Sequence, residues 1–575
     1  MRDGACYRVA RRAGLPLGAP VSVRKEGAQF EMSITVYSAR RILTMNPDRP
    51  SVSHVAVRDG RILGAGPLEE LRGWGKVELD ERFADKVILP GFVEGHSHAF
   101  EGGVWKFPYV GYFDRVSPDG ARSRGLKSID EVVAALQGVE KSLPKGAPLL
   151  AWGFDPIYFG GRRMNLADTD RISTDRPVVV IHSNFHVANA NSAVMAKAGI
   201  TRSTNVHGIV KDEHGEPTGE LQEMTAKYMA YRAAGVELAA VLSDEQAVWR
   251  FARVAQLAGV TTATDLHNEL PDSTVEGYLK ASASEEFPLR LLPAFAAASV
   301  PPEQGIARLQ SLMKRNNDRL RFQLVKIVTD GSIQGLSARM RWPGYYDGTP
   351  NGVWNIGPDD IDRLLLAWHR AGFQVHIHTN GDEASEVAIE AVERALALAP
   401  RWDHRHTLQH AQMADAGQFR RMKALGMCAN LFANHLFYWG DIHYAKTLGP
   451  ERAERMDACC TALATGVPFA IHCDAPVTPI GPLFTAWCAV NRLTATGRTL
   501  GEAEKISVAD ALRAITLGAA YTLKLDEELG SIDVGKRADF AILDDDPLAV
   551  EPEKLKDIPV WGTVLGGRVF QSRRS

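Results

Sequence analysis

Leu89-Pro90-Gly91-Phe92-Val93-Glu94-Gly95-His96-Ser97-His98 decides how the rest of the chain is read. Val87, Ile88 and Leu89 suit a buried strand, Pro90 and Gly91 interrupt it, and Phe92-Val93 resume it. Side chains alternate faces along a strand, so His96 and His98 are expected to point the same way at its end. Neutral imidazole is the commonest ligand for a metal such as zinc, and the pair reads as the start of a metal site. The bland alternative is two hydrogen-bonded histidines beside a loop.

Outward from this stretch, strand-like segments recur at 259–265, 289–295, 321–330, 373–378, 406–410, 427–432 and 468–473. Helical patterns lie between most of them, as at 360–371, 383–398 and 414–425, and 507–523 follows the last. With the His96-Ser97-His98 strand these make eight βα repeats, which argue an α/β fold of the (β/α)8 TIM-barrel type over 91–528. Chemistry in that fold sits at the C-terminal ends of the strands, where the two histidines fall. One connection is too long for a βα unit: about 150 residues separate His98 from the second strand. It predicts an insert over about 101–255 that caps the barrel mouth. Trp105, Phe107, Tyr109, Tyr112, Phe113, Trp152, Phe154, Tyr158 and Phe159 fall in it. Trp105 and Phe154 are candidates for an apolar substrate pocket, with the insert's own core as the alternative for each ring.

The two chain ends look complementary. Residues 32–90 are strand-like, with Asp59-Gly60 as a hairpin turn, and 529–575 carry further strands. Neither half supplies a full sheet, so they are expected to pair into one small β-sandwich domain beside the barrel. Residues 1–31 hold charges, glycines and prolines without an apolar signal core, and read as a disordered extension or an upstream start. An arginine-rich targeting peptide is the alternative.

Other ligand types sit at strand ends. Lys326 lies in Leu324-Val325-Lys326-Ile327-Val328, ahead of Thr329-Asp330-Gly331. A lysine in a buried strand is neutral, ion-paired to Asp330 or Asp265, or chemically modified. Desolvation lowers its pKa, and a neutral amine captures carbon dioxide as a carbamate able to bridge two metals. His378 ends Val375-His376-Ile377-His378, and His376 shares its strand face, so either can ligate. His410 ends Thr407-Leu408-Gln409-His410, and Asp474 ends Phe469-Ala470-Ile471-His472-Cys473-Asp474.

Composition excludes some classes. The 575 residues are 45% hydrophobic and 23% charged with a net charge of -3, which gives no reason to expect nucleic acid or an anionic membrane as partner. Six cysteines without a CxxC pair fit a reducing cytoplasm, and no apolar run is long enough to span a bilayer. A homodimer is compatible with this composition.

Taken in order, these motifs resemble the amidohydrolase superfamily, within it the amidohydrolase 3 or YtcJ-like branch that includes N-substituted formamide deformylases. The resemblance covers 34–570 and rests on 90–98, Val325-Lys326 with Asp330-Gly331, and His378 with Gly381-Asp382. Gln409-His410-Ala411, Asp474-Ala475-Pro476-Val477 and the closing Gly530-Ser531-Ile532 with Gly535-Lys536 and Ala538-Asp539 complete it. It implies one or two divalent ions, zinc foremost. His96, His98 and Asp474 would hold one, His378 and His410 the other, and carboxylated Lys326 would bridge. It also implies that His186 faces substrate from the cap. Two departures stand out: Glu94 occupies the place of a usual aspartate, and Asn184-Phe185-His186 replaces Asp-Gly-His.

The activity implied is hydrolysis of a C–N amide or formamide bond in a small molecule by metal-bound hydroxide. Asp474 would take the water's proton and return it to the leaving nitrogen, with His376, His435 and His472 as the other histidines to examine for that role. The alternatives are a deaminase or cyclic-amide hydrolase on the same site, and a metal-binding regulatory protein without turnover. Asp474 argues against the last, since structural zinc needs no proton shuttle.

Overall fold

A computed structural model of the chain describes residues 33–237 and 244–572. The expectation for residues 1–31 lies outside them. Eight short parallel strands follow the insert-bearing order expected of a barrel: β1 (Phe92–Glu94), β2 (Val260–Asn268), β3 (Arg290–Ala296), β4 (Leu324–Val328), β5 (Gln374–Thr379), β6 (Thr407–His410), β7 (Cys428–Leu431) and β8 (Phe469–Ile471). Each is hydrogen-bonded to the next from β1 to β8. The curled sheet closes between β8 and β1 beyond the strand ends. There Ser97 bridges Ala475, His98 N–H donates to the Ala475 carbonyl at 2.8 Å, and Asp474 N–H donates to the His96 carbonyl at 3.1 Å.

Alternation sorts the strand residues. Val325, Ile327, Val375, Ile377 and Leu408 join the apolar layer beneath the helices. Lys326, His376, His378 and Gln409 occupy the alternate positions and turn into the barrel. Under them Val93, Leu292, Leu324 and Ala470 pack with Ala519, Ala520 and Leu523 as an apolar floor. The helix Pro358–Arg370 shows why the outer layer forms: Ile361, Leu364, Leu365 and Trp368 recur at helical spacing and are all buried. The helix expected over 507–523 is interrupted. Val508–Arg513 and Ala519–Thr522 flank a π-helical turn, Ala514–Gly518, where the Thr516 hydroxyl donates to the Leu512 carbonyl at 2.6 Å.

Both chain ends build one seven-stranded sheet. The N-terminal strand Val77–Pro90 runs parallel to Ile34–Leu43 on one side and antiparallel to the C-terminal strand Phe540–Leu543 on the other. Val87, Leu89, Ala541 and Leu543 face the barrel, while Ile88, Phe540 and Ile542 pack with Tyr37, Phe83 and Val564 on the opposite face. Gly91 carries the chain from this sheet into β1. A Cβ there would lie 2.1 Å from the Thr261 hydroxyl oxygen, so only glycine lets the two layers approach. The insert has its own mixed five-stranded sheet, Leu149–Phe154, Val178–His182, Val187–Ala190, Ile209–Lys211 and Pro217–Gln222.

A buried ion pair ties the barrel to the terminal sheet. Arg290 on β3 donates to Asp539 through Nε at 2.7 Å and Nη2 at 3.0 Å, and both residues are about 5% exposed. Removing one partner leaves a buried charge, offset only in part by Asp318 at 2.9 Å. Asp539→Ala is therefore expected to destabilise the protein by roughly 3–5 kcal/mol. A thermal melt coincident with that of the parent chain would show that Asp318 alone satisfies the guanidinium.

Candidate metal centre

β1 ends at Glu94, so His96 and His98 stand in the irregular segment beyond it and not on one strand face. Backbone bonds replace alternation in aiming them. The Glu94 carboxylate accepts from His96 N–H at 3.1 Å, and the barrel seam fixes both carbonyl and amide groups of the segment. The Nε2 atoms of His96 and His98 then lie 3.3 and 3.2 Å from Asp474 Oδ1. Gln409 Oε1, which also accepts from Asn430 at 2.9 Å, sits 2.8 Å from His96 Nδ1. Nδ1 therefore carries the proton, and Nε2 presents a lone pair. Asp474 Oδ1 is buried and has no hydrogen-bond partner. The His96 lone pair, the His98 ring nitrogen and this carboxylate oxygen lie close enough together to be a donor set that a divalent ion would fit.

A second group shares His96. Ring nitrogens of His96, His410 and His472 lie within 4.8 Å of one another. Alternation after inward Gln409 would turn His410 outward; instead its backbone takes φ +68° and swings the ring inward, 4.5 Å from that of His96. Asp474 has φ +54°. Two non-glycine residues in the left-handed region at one site are the sort of local strain that surrounding structure sustains where function requires it.

Burial sets the protonation states. It holds the imidazoles of His96, His410 and His472 well below their usual range, and brings His376 and His378 to about 3, so all stay neutral and able to ligate. The same desolvation brings Lys326 down from 10.5 to about 7, against the pull of Asp474. Lys326 Nζ has no hydrogen-bond partner. The ion pair of Lys326 to Asp330 or Asp265, one of the alternatives, is not made. Asp330 accepts instead from the backbone of Arg339, Asn380 and Gly381, and Asp265 from Ala99, Asn268 and Tyr278. Burial also raises Glu94 to about 8, which leaves this departure from the usual aspartate largely neutral near pH 7.

The remaining candidates divide. His378 lies beside His410, at 4.5 Å between ring centres, but its Nε2 is taken up by the Gly331 carbonyl at 3.3 Å and Asn380 at 3.1 Å. His376 Nδ1 accepts from Gln409 at 2.7 Å and supports His96 through it. His186 reaches the barrel mouth from the insert, where it lines a cavity of about 80 Å³ with Asn184, His378, His410, His435 and Asp474. Phe185, in the place of the usual glycine of that motif, holds φ +59°. Phe154 is fully buried and stacks on Phe159, and Trp105 packs edge-on against Trp152, so both pack with the insert's core and neither lines the cavity beside Asp474. The sequence reading missed Gln409 as the organiser, since nothing local marks a glutamine that bonds two distant histidines. His435 is also at the cavity wall. Its Nδ1 accepts from His443 at 3.0 Å and its Nε2–H donates to Gln334 at 3.0 Å.

A barrel with imidazoles and a carboxylate gathered at its strand ends defines a hydrolase of the amidohydrolase superfamily, and the comparisons agree. The model of the amidohydrolase family matches residues 84–571, and the chain belongs to that family, in its YtcJ-like branch. It is 30% identical to Protein LONG AFTER FAR-RED 3 of Arabidopsis thaliana, over 92% of this chain and 90% of that one. It is 28% identical to the putative amidohydrolase YtcJ of Bacillus subtilis (92% and 98% covered) and 24% identical to the N-substituted formamide deformylase of Arthrobacter pascens (92% and 96%). The crystal structure of an uncharacterized metal-dependent hydrolase from Pyrococcus horikoshii superposes with a TM-score of 0.70 at 22% identity, covering 90% of this chain and 99% of that one.

Gln409→Leu is expected to weaken metal binding by about 10–100-fold, because His96 loses the acceptor that fixes its tautomer. Competition against a fluorescent chelator reads this directly; unchanged affinity would remove Gln409 from the support of the site.

Proposed function

We propose that this protein hydrolyses a C–N amide or formamide bond in a small molecule, using one or two divalent ions, zinc foremost. The observation that carries the reading is the convergence of two imidazole nitrogens on an unpartnered carboxylate oxygen at the barrel mouth. His96, His98 and Asp474 would hold one ion, with His410 and Lys326 available alongside. His378 joins them if its ring turns from Gly331. The deformylase relative supports the bond type, and a cavity of about 80 Å³ suits a formyl or short acyl group.

A bound divalent ion supplies a water of lowered pKa and polarises a carbonyl. The chain's residues do the rest. Asp474, which lines the cavity, would take a proton from the attacking water and return it to the leaving nitrogen, so that an amine departs. His435 lines the cavity wall with its Nε2–H donated to Gln334, and would reach a substrate oxygen only by exchanging that partner. His186 closes the cavity from the insert. Lys326 is deprotonated in a sizeable fraction near pH 7, the state in which an amine adds to carbon dioxide to form a carbamate.

Chelation is expected to abolish hydrolysis of formanilides, N-alkyl formamides or N-acyl aromatic amines, and zinc, cobalt or manganese to restore it. Restoration should be fuller with bicarbonate present if Lys326 is carboxylated. Full activity without metal sinks the reading. Turnover confined to cyclic amides or amino-substituted rings reassigns the reaction, and metal binding without turnover of any of these leaves a binding protein.

Asp474→Asn is expected to lower kcat by about 10²–10³-fold while at least one ion stays bound, since an amide oxygen can ligate but not take a proton at neutral pH. Kinetics and metal analysis of the same sample check this. An unchanged kcat would remove Asp474 as the shuttle.

A further inference from the structure

Most buried histidines of the described chain have partners for their ring nitrogens. His182 meets Asn189, His369 meets His406 and the Ala399 carbonyl, His404 meets the Leu425 carbonyl, and His443 meets His435 and Thr447. His472 is different. It is fully buried, and neither Nδ1 nor Nε2 has a hydrogen-bond partner. An imidazole always offers a donor or a lone pair at each nitrogen, and buried polar groups are paired unless something else meets them.

The surroundings say what would meet it. The His472 ring stacks on His96 at 4.6 Å and 20° and on Phe432 at 4.8 Å and 23°. It lies 5.0 Å from the ring of His410, and one nitrogen from each of His96, His410 and His472 falls in a common 4.8 Å group. His410 Nδ1 is also buried without a partner. Strand alternation puts His472 on the same inward face as Asp474, one step deeper, while Ile471 and Cys473 face the outer apolar layer.

We propose that His472 is a metal ligand, forming with His96 and His410 an all-imidazole station below the one made by His96, His98 and Asp474. The assignment rests on the metal-dependent reading above. His96 has a single free nitrogen, because Gln409 holds the other, so the two stations compete for it, and the all-imidazole one is the tighter site for zinc and cobalt. Three neutral nitrogens favour zinc or cobalt over magnesium or calcium.

The test uses the full chain loaded with cobalt(II). His472→Cys should gain a sulfur-to-cobalt charge-transfer band in the near ultraviolet that the parent chain lacks, since Cys473 faces away from the site. His472→Phe keeps the ring stack but cannot ligate. With an unchanged melting temperature, it should bind cobalt or zinc at least tenfold more weakly in chelator competition. The proposal is overturned if His472→Cys binds cobalt without the new band and His472→Phe retains the parent's affinity. A parent chain that takes up no cobalt would overturn the metal-dependent reading as well, so the two failures are distinguishable.

Discussion

Two backbone hydrogen bonds hold this barrel shut, and they belong to the residues of the candidate metal centre. His98 N–H reaches the Ala475 carbonyl and Asp474 N–H reaches the His96 carbonyl. β1 and β8 are the shortest of the eight strands and do not pair along their lengths, so closure is made beyond their ends. The site is thus part of the seam. Whatever keeps the seam in register also fixes the spacing of His96, His98 and Asp474, and an ion bound there would cross-link the first and last strands.

The interior behind the seam is a desolvated cluster of bases over an apolar floor. Burial keeps the imidazoles neutral and lowers Lys326 to about 7, so the cluster avoids the repulsion that several charged groups would create. Gln409 organises it by accepting from His96 and donating to His376, which sets two tautomers with one side chain. Asp330 plays the matching structural part on the other side. It gathers three backbone N–H groups, and Gly381 admits that approach because a Cβ there would fall 1.7 Å from the Arg339 carbonyl.

The insert is coupled to the loop that follows Asp474 by Arg115. Its guanidinium lies over Trp152 at 5.0 Å, and Nη2 donates to the Pro476 carbonyl at 2.7 Å, two residues after Asp474. Trp152, Phe154 and Phe159 pack in the insert's own core, Phe113 and Tyr158 pack on Phe437, Tyr438 and Trp439, and Asn184 and His186 reach the cavity.

The sequence alone determined the eight-strand barrel and the pairing of the chain ends, because these leave local signals. Apolar alternation marks Val375-His376-Ile377-His378, and histidines at strand ends mark a candidate metal centre. It could not decide which partners those side chains take. Lys326 was open between an ion pair and a free amine until Asp265 and Asp330 were seen to be occupied elsewhere. Phe154 and Trp105 were indistinguishable from pocket residues, since an aromatic ring in an insert looks the same whether it faces substrate or its own core. His472 gave no sign of its isolation, and His410 points inward only because its backbone reverses at φ +68°. Periodicity reports the face a residue takes along its own strand. The convergence of His96 with Gln409, 313 positions apart, is set by barrel closure, a long-range constraint that no local pattern encodes.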